Sequence, residues 1–230
     1  MNESILPDGV AAMASQLSQW PPMQLFYLAG GTALALQMGH RQSRDLDFFT
    51  VQPRTALPDL PDLDAFLQRF RRVEWVQRSP DQIHWRLDDV SVTLLAYPFP
   101  HHQAFHPWRG LAVADARDIA VQKAYTLGRR AQARDYLDLR ELLTSGVISM
   151  ETVLQQARTT YHDAFSPRLF LQQLTYTRDV PDWDDALTLL TQPQSLSAIE
   201  RDLRTLVRTW AQQNLPPTPP QTPRPKEPSL

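Results

Sequence analysis

Two aspartates set two apart, downstream of a glycine pair, constrain this chain more than any other feature. An apolar run from Leu25 to Leu28 leads into Gly30 and Gly31, and a short helical pattern follows. Asp45 and Asp47 then lie inside a second apolar run formed by Leu46, Phe48 and Phe49. Residues i and i+2 of a strand point to one face, so both carboxylates project together while Leu46 and Phe48 pack on the other side. Such a pair repels itself unless a divalent cation or a shared proton relieves it. Phe48 and Phe49 argue that the strand is central, where bare carboxylates are costly. A helix beginning at a glycine turn presents unpaired N–H groups and a positive partial charge, which suits an anion. Without a Cβ, Gly30 and Gly31 let backbone come close to a phosphate. Together these features describe a site for metal–nucleotide chemistry.

Composition sets the outer bounds. At 230 residues the chain can hold one substantial core or two small lobes, and its 42% hydrophobic and 21% charged residues are those of a globular protein. No apolar run approaches the length of a membrane span, and Met1 to Ile5 have neither the basic start nor the apolar core of a signal peptide. The absence of cysteine excludes disulfides and thiolate metal sites and fits a cytoplasmic location. A net charge of -2 gives no global pull on nucleic acid. Any RNA contact must come from a local basic patch, for which Arg69, Arg71, Arg72 and the cluster Arg129, Arg130, Arg134 are the candidates.

Periodicity predicts an α/β segment followed by a helical one. Val10, Met13, Leu17 and Trp20 mark a helix over 8–20 that ends at Pro21 and Pro22. A strand is expected over 25–29, and a helix from an N-cap at Thr32 to Met38, closed by Gly39. Another strand is expected over 45–51. Leu63, Phe66, Leu67 and Phe70 have helical spacing. Strands are expected over 73–77, 83–87 and 90–96, the last two turned at Asp88 and Asp89. After a loop over 101–110, helical stripes cover 115–129, 133–144, 150–160, 166–177, 183–191 and 195–213. The division is then an α/β lobe over 1–112, a helical lobe over 113–214 and a tail over 215–230. Seven prolines fall between 216 and 228, so the tail reads as a disordered, polyproline-like segment.

The block from Gly30, Gly31 and Thr32 through His40, Arg41 and Ser43 to Asp45-Leu46-Asp47-Phe48-Phe49 resembles the AbiEii/AbiGii group of nucleotidyltransferase-like toxins, within the polymerase-β-like nucleotidyltransferases. A second block is similar to the downstream block of the same group: Asp118 to Lys123, then Arg129 and Arg130, then Arg134-Asp135-Tyr136-Leu137-Asp138-Leu139. The resemblance covers roughly residues 25 to 140. It implies a mixed β-sheet lobe with a helical C-terminal lobe and a site in the cleft between them. By that resemblance Asp45 and Asp47 bind the catalytic metal, Mg²⁺ with Mn²⁺ as a substitute, and Lys123 contacts the triphosphate of an NTP. Asp135 joins them as a catalytic candidate. Gly30, Gly31, Thr32, Arg41, Ser43, Lys123 and Arg130 are the nucleotide-binding candidates. Arg41 is suited to a forked grip on phosphate, against which stands a loop salt bridge to one of the aspartates. Asp135 is equally suited to a salt bridge with Arg130 or Arg134, and it shares a helical face with Asp138. His40 reads as a packed loop histidine, and a lone helical lysine is ordinarily a solvated charge.

The resemblance further implies a nucleotide moved from an NTP to a hydroxyl acceptor, either RNA (a tRNA end among them) or protein, in the toxin of a toxin–antitoxin or abortive-infection module. A cognate antitoxin is then the implied partner, and no membrane. One departure stands out. Transferases of the wider group usually carry a third carboxylate on a later strand, and the matching position here is Thr93, which cannot take a proton at neutral pH. The base then comes from Asp135 or Asp138, or positioning and metal suffice, or the protein is a weakened module that binds nucleotide or RNA; a domestic transferase without a toxic role, differing only in substrate, is the other alternative.

Overall fold

The computed structural model describes residues 1–127, 129–130 and 132–214. The Pro-rich tail of the sequence analysis lies outside them. After a 3-10 turn at Glu3–Ile5 comes helix α1 (Val10–Leu17), whose Val10, Met13, Ala14 and Leu17 are buried, and a second 3-10 turn, Pro21–Leu25, delivers it into strand β1 (Phe26–Ala29). Helix α2 (Gly30–Met38) follows without a connecting residue and stops at Gly39, whose φ of 65° is a left-handed cap. Strand β2 (Leu46–Thr50) and helix α3 (Leu60–Leu67) come next, the helix capped by Asp59. Strands β3 (Val73–Arg78), β4 (Gln82–Leu87) and β5 (Val90–Leu95) form a meander. Its second turn holds Asp88 and Asp89 at φ 44° and 74°, the left-handed pair that a tight hairpin turn needs.

Strands β6 (His106–Trp108) and β7 (Leu111–Val113) complete a seven-stranded mixed sheet in the order β3-β4-β5-β2-β1-β7-β6. β6 corrects the loop expected over 101–110, and β7 is a further strand where none was expected. Three residues each, with proline in the first, are too short to show alternation. β2 is the fourth strand of seven, as its phenylalanines required. It runs antiparallel to β1 and parallel to β5, with Asp47 beside Ala29 on one side and Thr93 on the other.

Helices α4 (Ala116–Leu127), α5 (Ala133–Thr144), α6 (Met150–Tyr161), α7 (Pro167–Leu174), α8 (Trp183–Thr188) and α9 (Leu196–Asn214) follow the sheet. Each lies within its expected segment to within two residues, apart from shorter C-terminal ends to α7 and α8. One hydrophobic cluster runs from α1 through the sheet into these helices. Among the described residues no helix is long and apolar enough to cross a membrane.

Candidate functional site

Burial along β2 alternates, with Leu46, Phe48 and Thr50 buried and Asp47 and Phe49 partly exposed. Asp45, just before the strand, continues the second set. That face opens on a cavity of about 460 Å³. The sheet side of the cavity carries Asp45, Asp47, Ser91, Thr93 and His84, while the helix side carries Lys123, Arg130, Arg134 and Asp135. Gly30, Gly31, Arg41 and Ser43 also reach its surface. All the candidate residues but Thr32 therefore line one cavity.

Thr32 is buried behind it, and its role changes accordingly. The N-cap of α2 is Ala29, not Thr32, because Gly30 adopts φ 65° and starts the helix three residues earlier. From the first turn the Thr32 hydroxyl donates to the Asp45 carbonyl and pairs with the Ser43 hydroxyl at 2.8 Å. It fixes the entry to β2 and touches no open space. The glycines have a local purpose as well. A Cβ on Gly30 would stand 2.9 Å from Asp47 Oδ2, and one on Gly31 would collide with the Arg41 guanidinium.

Arg41 is the second correction. It is 1% exposed and holds Asp138 in a fork, Nε to Oδ1 at 2.7 Å and Nη2 to Oδ2 at 2.8 Å. Its charge is thus committed to a buried carboxylate, and neither Asp45 nor Asp47 receives it. Asp138 also meets His40 Nε2 at 2.8 Å and Lys123 Nζ at 2.8 Å. The same ammonium lies 2.6 Å from Asp135, which in turn accepts from Arg130 Nε at 3.0 Å. Burial pushes both carboxyls up, but the surrounding cations outweigh it: Asp135 is held below the usual carboxylate range by Lys123 and Arg130, and Asp138 well below it by Arg41 and Lys123. Lys123 is held above its ordinary value, since Asp135 and Asp138 outweigh its own burial.

The sheet pair stands in a different field. Burial, and then the charge of Asp45, hold the Asp47 carboxyl above the usual range despite the neighbouring Thr93 hydroxyl, Lys123 and Arg130. Among the described residues Asp45 meets one cation, Arg134 Nη1 at 3.2 Å. No group of three or more histidines, cysteines, aspartates or glutamates with metal-holding geometry occurs among the described residues. Two adjacent carboxylates short of counter-charge, beside open space, nonetheless fit a Mg²⁺ ion, which ordinarily takes one or two carboxylates and completes its shell with water and substrate phosphate. Asp45 and Asp47 are the residues that can hold it.

Reading the sequence by itself missed the further lining residues His84, Ser91, Tyr97 and Gln122. It placed Arg134 in a basic cluster and as a possible mate for Asp135 rather than for Asp45. These positions follow from strand register and from helix packing over long separations, as with Arg134 and Asp45, 89 residues apart. No local pattern marks them.

The family model for the nucleotidyl transferase AbiEii toxin of type IV toxin–antitoxin systems matches residues 11–213. An uncharacterized protein of Aquifex aeolicus (strain VF5) is 30% identical over 162 residues, covering 67% of this chain and 74% of its own. Among solved structures, JHP933 from Helicobacter pylori superposes with a TM-score of 0.53 at 17% identity, over 88% of either chain. MenT4, a nucleotidyltransferase toxin from Mycobacterium tuberculosis, superposes with a TM-score of 0.51 at 19% identity, over 86% of this chain and 81% of its own.

Proposed function

The chain belongs to the AbiEii family of nucleotidyl transferase toxins, and we propose that it moves a nucleotide from an NTP to a hydroxyl acceptor, with one Mg²⁺ held between Asp45 and Asp47. The observation that carries this reading is the cavity itself, with two under-compensated carboxylates on the sheet facing Lys123, Arg130 and Arg134 on the helices. A triphosphate bridges such walls naturally. When bound, the metal supplies neutralisation of charge on the transferring phosphoryl group. Arg130 and Arg134, both on the cavity wall, bind the outer phosphates. Lys123 keeps a third ammonium hydrogen for a phosphate oxygen beyond its two aspartates. The N-terminus of α2 at Gly30 and Gly31 adds backbone donors.

The acceptor class is RNA, a tRNA end included, or a protein hydroxyl, and the partner is a cognate antitoxin. The experiment is incubation with each labelled NTP, Mg²⁺ or Mn²⁺, and total RNA or protein extract. Label entering either pool with the parent protein but not with Asp45→Asn is the expected result. Thr93, where a third carboxylate would stand, favours a second reading as a binding module. A metal-dependent rise in melting temperature with NTP but no label in either pool would establish that reading instead.

A further inference from the structure

Each nucleotidyl transfer to a hydroxyl releases a proton, and four cavity-lining side chains can take one up: Asp45, Asp47, Asp135 and His84. The sheet aspartates are the proposed metal pair. Asp135 has both oxygens engaged, by Lys123 at 2.6 Å and Arg130 at 3.0 Å, and its side chain is 1% exposed. That leaves His84.

Its place in the sheet suits the task. His84 on β4 is directly opposite Thr93 on β5, and Thr93 is directly opposite Asp47 on β2. One row of the sheet thus carries imidazole, hydroxyl and carboxylate on the same face. With strands about 4.8 Å apart, the backbones of His84 and Asp47 are separated by roughly 10 Å across the cavity floor. A reacting phosphoryl group on the Asp47 side and an incoming hydroxyl would together fill such a gap. His84 Nε2 lies 3.0 Å from Ser91 Oγ, and Nδ1 makes no hydrogen bond among the described residues. With Ser91 accepting from Nε2–H, the ring lone pair is on Nδ1 and open to a bound molecule.

We propose that His84 is the proton acceptor of the transfer. The acceptor oxygen bonds to the α-phosphorus, and its proton passes to His84 Nδ1. The bond from the α-phosphorus to the oxygen bridging to the β-phosphate breaks, and pyrophosphate leaves with that electron pair. Thr93 lines the path of the acceptor, and Ser91 positions the imidazole.

This inference rests on the transfer reading above, so the test compares the parent protein with His84→Ala, with His84→Gln, which can still bond Ser91 but cannot take up a proton, and with His84→Ala carrying Thr93→Asp. Transfer kinetics are measured beside the NTP-dependent thermal shift in Mg²⁺. His84→Ala and His84→Gln are expected to lower kcat by about 10²–10⁴-fold with the thermal shift retained. Added imidazole should restore rate to His84→Ala, and Thr93→Asp should do so by bringing a carboxylate one strand nearer. Parent-like kcat in either single variant overturns the proposal, as does a loss that neither imidazole nor Thr93→Asp relieves. An inert parent protein overturns the transfer reading and this inference together, whereas an active parent with unaffected His84 variants overturns this inference alone.

Discussion

Asp45 and Asp47 on the sheet, and Asp135 and Asp138 on α5, are two pairs of one residue type at nearly one spacing, in very different surroundings. The helix pair sits in a nest of cations: Lys123 touches both members, Arg41 and His40 take Asp138, and Arg130 takes Asp135. Among the described residues the sheet pair makes one ion pair, with Arg134, between groups each about a third exposed. Carboxylates matched by buried cations hold a structure together. Carboxylates left short of counter-charge beside a cavity have electrostatic capacity to spare for a ligand.

The largest expected effects test both halves of this contrast. Asp45→Asn or Asp47→Asn removes a metal ligand worth several kcal/mol of transition-state stabilisation, so transfer should fall about 10³-fold or more. Stability should hold or rise, because repulsion between the two is relieved. Asp138→Asn should do the reverse to the fold. It strands Arg41 as a buried unpaired cation and leaves Lys123 with Asp135 as its partner, a loss of about 3–5 kcal/mol that denaturant unfolding would read. Equal melting temperatures for Asp138→Asn and the parent would erase the distinction.

Acid separates the pairs more gently. The folded-state values of Asp135 and Asp138 are depressed, and unfolded aspartate titrates near about 3.9. Their stabilisation is therefore complete above that value and is lost as pH falls through the lower folded values. Unfolding free energy should drop from about pH 5 downward, and Asp138→Asn should flatten that slope. A slope unchanged by the substitution would assign the acid limb to other carboxylates.

How much of this was legible in the sequence depended on how locally each feature is determined. Gly30, Gly31, Asp45 and Asp47 announce themselves because glycine freedom and strand alternation act over a few residues. Phe48 and Phe49 likewise marked β2 as central. The start of α2 was misread at Thr32, a good capping residue, because Gly30 reached a positive φ first. The commitment of Arg41 to Asp138 joins residues 97 apart, and local propensity has nothing to say about it. His84 reached the cavity wall by the register of β4 on β5 and β5 on β2, a relation that the period-2 pattern permits but does not select.

The smallest effect on the fold is expected at Arg134, and it sharpens the comparison most. Its bond to Asp45, 3.2 Å between groups about a third exposed, should contribute less than about 1 kcal/mol to stability once solvent screening is counted. Arg134→Gln should therefore leave the denaturation midpoint nearly where it was. The same substitution takes a cation from the cavity wall opposite the phosphates, so the metal-dependent rise in melting temperature with NTP should shrink. Raising the salt should shrink the parent's shift toward the variant's, since a partly exposed charge is screened within about 10 Å at 0.1 M. The helix cluster, being buried, should respond to salt far less. A stability loss of several kcal/mol in Arg134→Gln would mean that Asp45 is matched as Asp138 is, and the sheet pair would then be a structural ion pair with no capacity left for a metal.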